Sequence, residues 1–332
     1  MRHTISETFA AALVVACAGA FPAASLGQAT PASAGISQPH LAEARRIAAE
    51  ENTWKHTALI TCYPEEGQAA QKVIKDPPAS RAFDNLYFLG NGIVASWALD
   101  TPEGIVLIDT LNDQAEVDRF IIGGLQKLGV DPARIKIILV SHGHGDHYGG
   151  AKYLQELYGA KVYMPRSDYD MAAQSNGGDK RPLPRLDTDL RDGDSIKLGG
   201  QTLRAFVTGG HTPGSISLLL PVLDKGRAVT IAYFGGITNR NITPAMHMLY
   251  DQWTGRFQRI VADNKVEGFI GNHPSFDDVA GKLAHMVERP TRPNPFLVGT
   301  EGTLRFLRVL QQCNLNNADI EKGGSQPPTA GP

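Results

Sequence analysis

His142, His144, Asp146 and His147 all fall within the run from Ser141 to Gly150, SHGHGDHYGG. Three imidazoles and a carboxylate so close together make a poor core and a poor helix, but a good metal cradle. Imidazole nitrogen and carboxylate oxygen bind zinc at roughly 2.0 to 2.2 Å, and catalytic zinc keeps one position open for water. Gly143 and Gly145 separate the ligands, and glycine accepts positive φ, so the chain can fold back tightly there. His142 and His144 can then aim at one point, Asp146 and His147 at a neighbouring one. Two more histidines share the context of apolar strand, turn residue, histidine. His211 lies in Thr208-Gly-Gly-His-Thr-Pro-Gly214 and His273 in Gly271-Asn-His-Pro274. The other five, His3, His40, His56, His247 and His285, lack it and are expected to be structural or on the surface. The six ligands divide into His142, His144 and His211 for one zinc, and Asp146, His147 and His273 for the other. Two such metals, roughly 3.5 to 4 Å apart, can share one water and lower its pKa towards neutrality. No serine or cysteine nucleophile is then needed.

Strand ends must present these loops. Ile135 to Val140 is a short apolar, β-branched run that reads as a buried strand. Leu86 to Phe88, Gly92 to Leu99 and Ile105 to Ile108 are strand-like, the last two joined by Asp100-Thr-Pro-Glu-Gly104 turn chemistry. Gln114 to Leu128 has apolar residues at helical spacing, and Tyr148 to Tyr158 reads as a helix. Lys161 to Met164 is a strand, and Ser167 to Leu190 a polar, mobile excursion. Gln201 to Val207, Ile216 to Leu220, Val229 to Phe234 and Gly268 to Ile270 are further strands. Trp253 to Asn264, Asp277 to Glu288 and Thr300 to Gln312 are helical. Two halves of similar order suggest two facing sheets with helices outside.

The chain has 332 residues, 42% hydrophobic and 20% charged, with formal net charge −2. It can bury a sizeable core. No basic stripe is visible, which argues against nucleic acid and anionic membrane as partners and leaves a small-molecule substrate. Oligomeric state is not legible. Arg2, the apolar run Phe9 to Ala20 and Gly27-Gln28-Ala29 resemble a secretory signal, too short to span a bilayer. Export to the periplasm or medium is expected. Val14-Val15-Ala16-Cys17 offers a lipidation alternative. The expected organisation is 1–29 signal, 30–84 N-terminal extension, 85–315 catalytic domain and 316–332 disordered tail, with Gln38 to Glu51 a surface helix and Trp54 to Ile60 over the core. No transmembrane segment is expected. Cys62 and Cys313 either pair, tying the extension to the last helix, or stay separate thiols; spacing does not set connectivity.

HxHxDH at a strand end plus two distant histidines resembles the metallo-β-lactamase superfamily, from about Asn85 to about Cys313. Gly-His-Thr-Pro-Gly around His211 and the strand Ile105 to Asp109 add to the likeness. The resemblance implies an α/β fold, an αββα sandwich with a dinuclear zinc site at one edge, and Asp109 as a buried acid bracing the metal loop. Many superfamily hydrolases, glyoxalase II-like and lactonase enzymes among them, carry a bridging Asp after the strand that follows the third ligand. Here Val229 to Phe234 runs into Gly235-Gly236-Ile237-Thr238, with neither Asp nor Cys, and this is similar to subclass B3. Asn294-Pro-Phe296 before a helix is similar too. That subclass usually has Ser at the Gly236 position and a second hydroxyl two residues on; only Thr238 remains. The implied function is opening of a β-lactam amide by a metal-bound hydroxide oriented by Asp146. Alternatives are hydrolysis of another lactone, ester or amide, and zinc binding without turnover. Substrate contacts are expected from Ser215, Thr238, Asn239 and Tyr148, with Tyr87 and Asn91 as further candidates. Asp168 to Arg185 is a candidate lid.

Overall fold

Strand side chains alternate between two faces, and here both faces are buried. In the strand Arg227–Phe234, Val229, Ile231 and Tyr233 enter one apolar cluster and Ala232 and Phe234 another. In the strand Gly104–Ile108, Val106 and Ile108 join that first cluster, while Ile105 and Leu107 join a third. Two sheets stacked face to face, each covered outside by helices, give strands two dry faces.

The computed structural model describes residues 39–50, 54–62, 75–175, 181–288 and 290–322. The first sheet runs in chain order through β1 (Ser80–Phe83), β2 (Leu86–Phe88), β3 (Trp97–Thr101), β4 (Gly104–Ile108), β5 (Ile135–Leu139), β6 (Lys161–Met164) and β7 (Thr188–Asp189). It is antiparallel up to β4 and parallel from β4 on. The second sheet comprises β8 (Ser195–Leu198), β9 (Gln201–Val207), β10 (Ile216–Asp224), β11 (Arg227–Phe234) and β12 (Gly268–Gly271). Only its β11–β12 pair is parallel.

Helices α1 (Pro39–Ala49) and α2 (Lys55–Cys62) pack on the second sheet. The segments Gln114–Glu116, Val117–Ile122 and Gly123–Lys127 form α3, whose middle part is a π-helix. With α4 (Gly145–Tyr148), α5 (Ala151–Tyr158) and α6 (Arg166–Ser175) it covers the first sheet. Helices α7 (Pro244–Asp263) and α9 (Gly299–Lys322) complete the cover of the second, and α8 (Val279–Glu288) caps the seam between the sheets.

The architecture is the expected αββα sandwich, with differences at element ends. Gly92 to Ser96 is a loop, not strand: the Asn91 side-chain oxygen accepts from the backbone N–H groups of Ile93 and Val94 and fixes a turn. The expected mobile excursion opens with the helix α6. Helix α7 starts at Pro244, capped by Thr243, whose Oγ1 accepts from Met246 N at 3.3 Å.

The described helices of the extension, and residues 316–322 of the expected tail, pack into the core. Helices α1 and α2 bury Ala44, Ile47, Ala58 and Ile60, and Trp54 between them donates to Gly302 O at 2.8 Å. Helix α9 runs to Lys322, burying Asn316, Asn317 and Ala318, so order extends well past residue 315. Cys62 and Cys313 are disulfide-bonded, Cα atoms 4.8 Å apart, across 251 residues of sequence. The expected signal with Cys17, residues 30–38 at the start of the extension and residues 323–332 lie outside the described residues.

Candidate metal centre

β4 leads into Asp109, β5 feeds the His142-to-His147 turn, β9 feeds His211 and β12 feeds His273. The rings of His142, His144 and His211 form a near-equilateral triangle, with centroids 4.9, 4.6 and 4.7 Å apart. Nε2 of His142 faces Nε2 of His211 at 3.1 Å. Two imidazole nitrogens at that separation can share a proton or a cation. His147 continues the group: its ring lies 4.0 Å from His142 and 5.0 Å from His273, and its Nε2 is 3.4 Å from Asp146 Oδ2. Ligand atoms of His142, His144 and His211, and of His142, Asp146 and His147, fall within 4.8 Å of one another. His273 reaches the group through its ring contact with His147.

The turn is not built as the glycines suggest. Neither Gly143 nor Gly145 has positive φ. Gly143 is needed because a Cβ there would lie 2.5 Å from Asp168 O. Asp146 and His147 occupy the first turn of α4, with His147 N bonded to His144 O at 3.0 Å. Gly149 then lets the chain after β4 press close, since a Cβ on it would lie 2.0 Å from Asn112 O.

Most imidazoles are held from behind at Nδ1, which turns Nε2 inward. His147 Nδ1 donates to Asp109 Oδ2 at 2.8 Å, and His273 Nδ1 to Ile93 O at 2.7 Å. His211 Nδ1 pairs with Thr238 Oγ1 at 2.8 Å. Ser141 Oγ donates to Asp109 Oδ2, so it accepts from His142 Nδ1 at 3.1 Å. Such partners fix ring orientation and tautomer in metal-ligating histidines. Asp109 is fully buried and also accepts from Ser141 N and from the Tyr233 hydroxyl, at 2.7 and 2.8 Å.

Burial, then the neighbouring imidazoles, push the pKa values of His142 and His211 well below the usual histidine range. Neutral imidazole is the ligand form. At His147 burial also opposes charge, but Asp146 and Asp109 outweigh it and hold the pKa up at about 10. Burial likewise opposes ionisation of Asp146, yet adjacent His147 keeps it well below the carboxylate range. Two carboxylates around one imidazole make this edge favour a cation. Among the described residues His147 Nε2 is buried with no hydrogen-bond partner, only the Asp146 carboxylate 3.4 Å away, as an atom left to coordinate a metal should be. The donor set fits a divalent metal bound by nitrogen and oxygen.

The expected substrate contacts fare less well. Tyr148 is 1% exposed and packs in the outer cluster of the first sheet. Ser215 is fully buried; its Oγ accepts from Thr212 N and so props the His211 loop. Asn239 is buried and donates to Leu310 O. Tyr87 and Asn91 are buried too. Thr238 alone of this group stays half-exposed, against His211. The candidate lid is anchored at its start: Asp168 is fully buried, and its carboxylate accepts from Gly143 N, Thr212 Oγ1 and Gly214 N. Sequence reasoning missed Asp168, Ser141 and Tyr233 as supports. A residue at a strand end or in a helix's first turn is an ordinary residue until its neighbours are known.

Residues 89–224 match the family model described as the metallo-beta-lactamase superfamily. Over those residues the chain is similar to the metallo-β-lactamase superfamily. The matched span holds five of the six ligand candidates and stops before His273. Among solved structures of the superfamily, native FEZ-1 metallo-β-lactamase from Legionella gormanii superposes with TM-score 0.63 at 23% identity, over 76% of this chain and 99% of that one. BJP-1, a subclass B3 metallo-β-lactamase of Bradyrhizobium japonicum, does so with TM-score 0.62 at 25% identity, over 76% and 96%. Curated relatives carry another activity. A hydroxyacylglutathione hydrolase of Acidiphilium cryptum (strain JF-5) is 36% identical over 86 residues, 26% of this chain and 31% of that protein. One from Pseudomonas putida (strain GB-1) is 28% identical over 162 residues, 46% and 55%. The chain spans about a third to a half of the length of these two curated relatives.

Proposed function

We propose that this chain is a two-zinc hydrolase of the B3 kind, opening the amide of a β-lactam. The observation that carries the proposal is the ligand set: His142, His144 and His211 for one ion, Asp146, His147 and His273 for the other. The lack of Asp or Cys at Gly235-Gly236 beyond β11 supports the B3 comparison. When bound, zinc supplies a Lewis acid for the carbonyl and leaving group and acidifies water in the site. The chain's own residues hold the frame. Asp146, kept ionised beside His147, accepts a hydrogen bond from the attacking water and orients it. Asp109 and Thr238 fix His147 and His211, and preorganised groups lose nothing to reorientation during reaction. Arg240, two residues beyond Thr238, is half-buried and has no acidic partner among the described residues; burial lowers its pKa. An uncompensated, partly desolvated guanidinium suits a substrate carboxylate.

A second proposal is hydrolysis of an acyl thioester, lactone or ester. The names of the curated relatives favour it, as does glycine at position 236. Nitrocefin turnover that a chelator abolishes and zinc restores would support the first. No β-lactam turnover, with hydrolysis of a hydroxyacylglutathione or a lactone, would replace it with the second. Metal binding without hydrolysis across such a panel would reduce the protein to a zinc binder. We also place the enzyme in the periplasm or outside the cell, since the Cys62–Cys313 bridge suits an oxidising compartment. No described helix is long and apolar enough to cross a membrane.

A further inference from the structure

Among the described residues, Asp168 is the fully buried carboxylate that joins two separate ligand loops. It lies in the first turn of α6. Its Oδ2 accepts from Gly143 N at 2.8 Å and from Thr212 Oγ1 at 2.6 Å, and its Oδ1 accepts from Gly214 N at 2.6 Å. Gly143 stands between His142 and His144. Thr212 follows His211. Among the described residues no basic side chain pairs with it, and burial raises the pKa of this carboxylate against the pull of those three donors. Asp109 has a different reach: its carboxylate holds His147 directly and His142 only through Ser141, and touches nothing on the His211 loop.

We infer that Asp168 is the positioning residue of the three-histidine subsite: it sets the distance between the His142/His144 loop and the His211 loop, while Asp109 holds His147. The inference rests on the metal-site assignment above, not on the substrate. Bonds to a carboxylate are short and strong, and loss of the acceptor would strand the N–H groups of Gly143 and Gly214 in a dry interior and leave the Thr212 hydroxyl with Ser215 alone. The division of labour is what distinguishes this from plain structural support. A general prop would weaken both subsites; Asp168 touches the surroundings of one.

Asp168→Asn keeps the volume but aims an amide donor at an existing donor. The test uses purified full-length protein carrying single-subsite backgrounds and a chromophoric chelator competing for zinc. In the His147→Ala background, which retains the three-histidine subsite, Asp168→Asn should weaken zinc about 10- to 100-fold. In the His211→Ala background, which retains the other, it should leave affinity unchanged. Cobalt in place of zinc should show an altered visible spectrum in the first background only. Thr212→Val removes one donor of three and should give a smaller loss with the same selectivity. It carries the test if Asp168→Asn does not fold. Equal losses in both backgrounds, or none in either, would overturn the inference. Lack of β-lactam turnover would leave it intact, whereas failure of the parent protein to bind zinc would remove the metal assignment itself.

Discussion

Asp109 shows what a single side chain does here. It adopts φ 61°, a left-handed conformation rare for anything but glycine. Such backbone strain costs on the order of 1–3 kcal/mol and survives where the surroundings over-determine it. Here they do: its N–H bonds to Leu139 O, Ser96 donates to its carbonyl, and its carboxylate takes four further bonds. Asp109→Asn should therefore keep the fold and lower zinc affinity at the His147 subsite about 10- to 100-fold; equilibrium dialysis with metal analysis reads this, and wild-type affinity would sink the assignment. His147→Ala should lose one zinc per chain and most hydrolytic activity. Undiminished activity in that variant would refute the ligand set. Arg240→Ala should raise KM for carboxylate-bearing substrates about tenfold or more, the loss of a charge-assisted hydrogen bond of roughly 1.5–3 kcal/mol, while kcat stays nearly unchanged. An unaltered KM would show that Arg240 does not meet the substrate.

At the scale of elements, each functional loop is tied down by an element on its far side. The loop after β11 carries Thr238 to His211, and from below Asn317 Nδ2 meets Asn239 Oδ1 at 2.8 Å. Glu321 Oε1 accepts from Asn241 N, and its other oxygen pairs with His247 Nε2. The last turns of α9 are thus a clamp on the site's own loop. Removing residues 316–332 should lower unfolding free energy by about 3 kcal/mol, from several lost buried bonds at roughly 1 kcal/mol each and buried surface besides. Urea denaturation checks this, and an unchanged midpoint would show that the clamp contributes nothing. The loop Gly92 to Ser96 is tied in the same way: Ala95 N bonds to Asn272 O and Ile93 O holds His273.

At the scale of the whole molecule, the stacked sheets bring strand ends from both halves to one edge. Trp97 spans the seam, donating from β3 to Gly271 O at the end of β12, at 3.0 Å. The disulfide adds a constraint between α2 and α9. In the chain-entropy account, closing a loop of this length stabilises by about 5 kcal/mol. Cys313→Ser should cost about 2–5 kcal/mol, read as a lower thermal midpoint of the oxidised protein. A midpoint equal to that of the parent would mean that packing of α1 and α2 alone holds the extension.

Much of this was legible in the residues because the signals were local. The HxHxDH run announces its chemistry by donor type and spacing, and short apolar, β-branched runs with glycine-bearing ends locate loops without any fold in hand. Tertiary structure alone decided the rest. Asn316 and Asn317 look like tail composition until α9 is seen to bury them. Ser215, Asn239 and Tyr148 look available until neighbours cover them. Asp168 looks like one more polar residue in an excursion until three donors from two distant loops converge on its carboxylate. Donor type is a property of a residue, written in the chain; burial and partnership are properties of pairs far apart in sequence, and only folding makes those pairs.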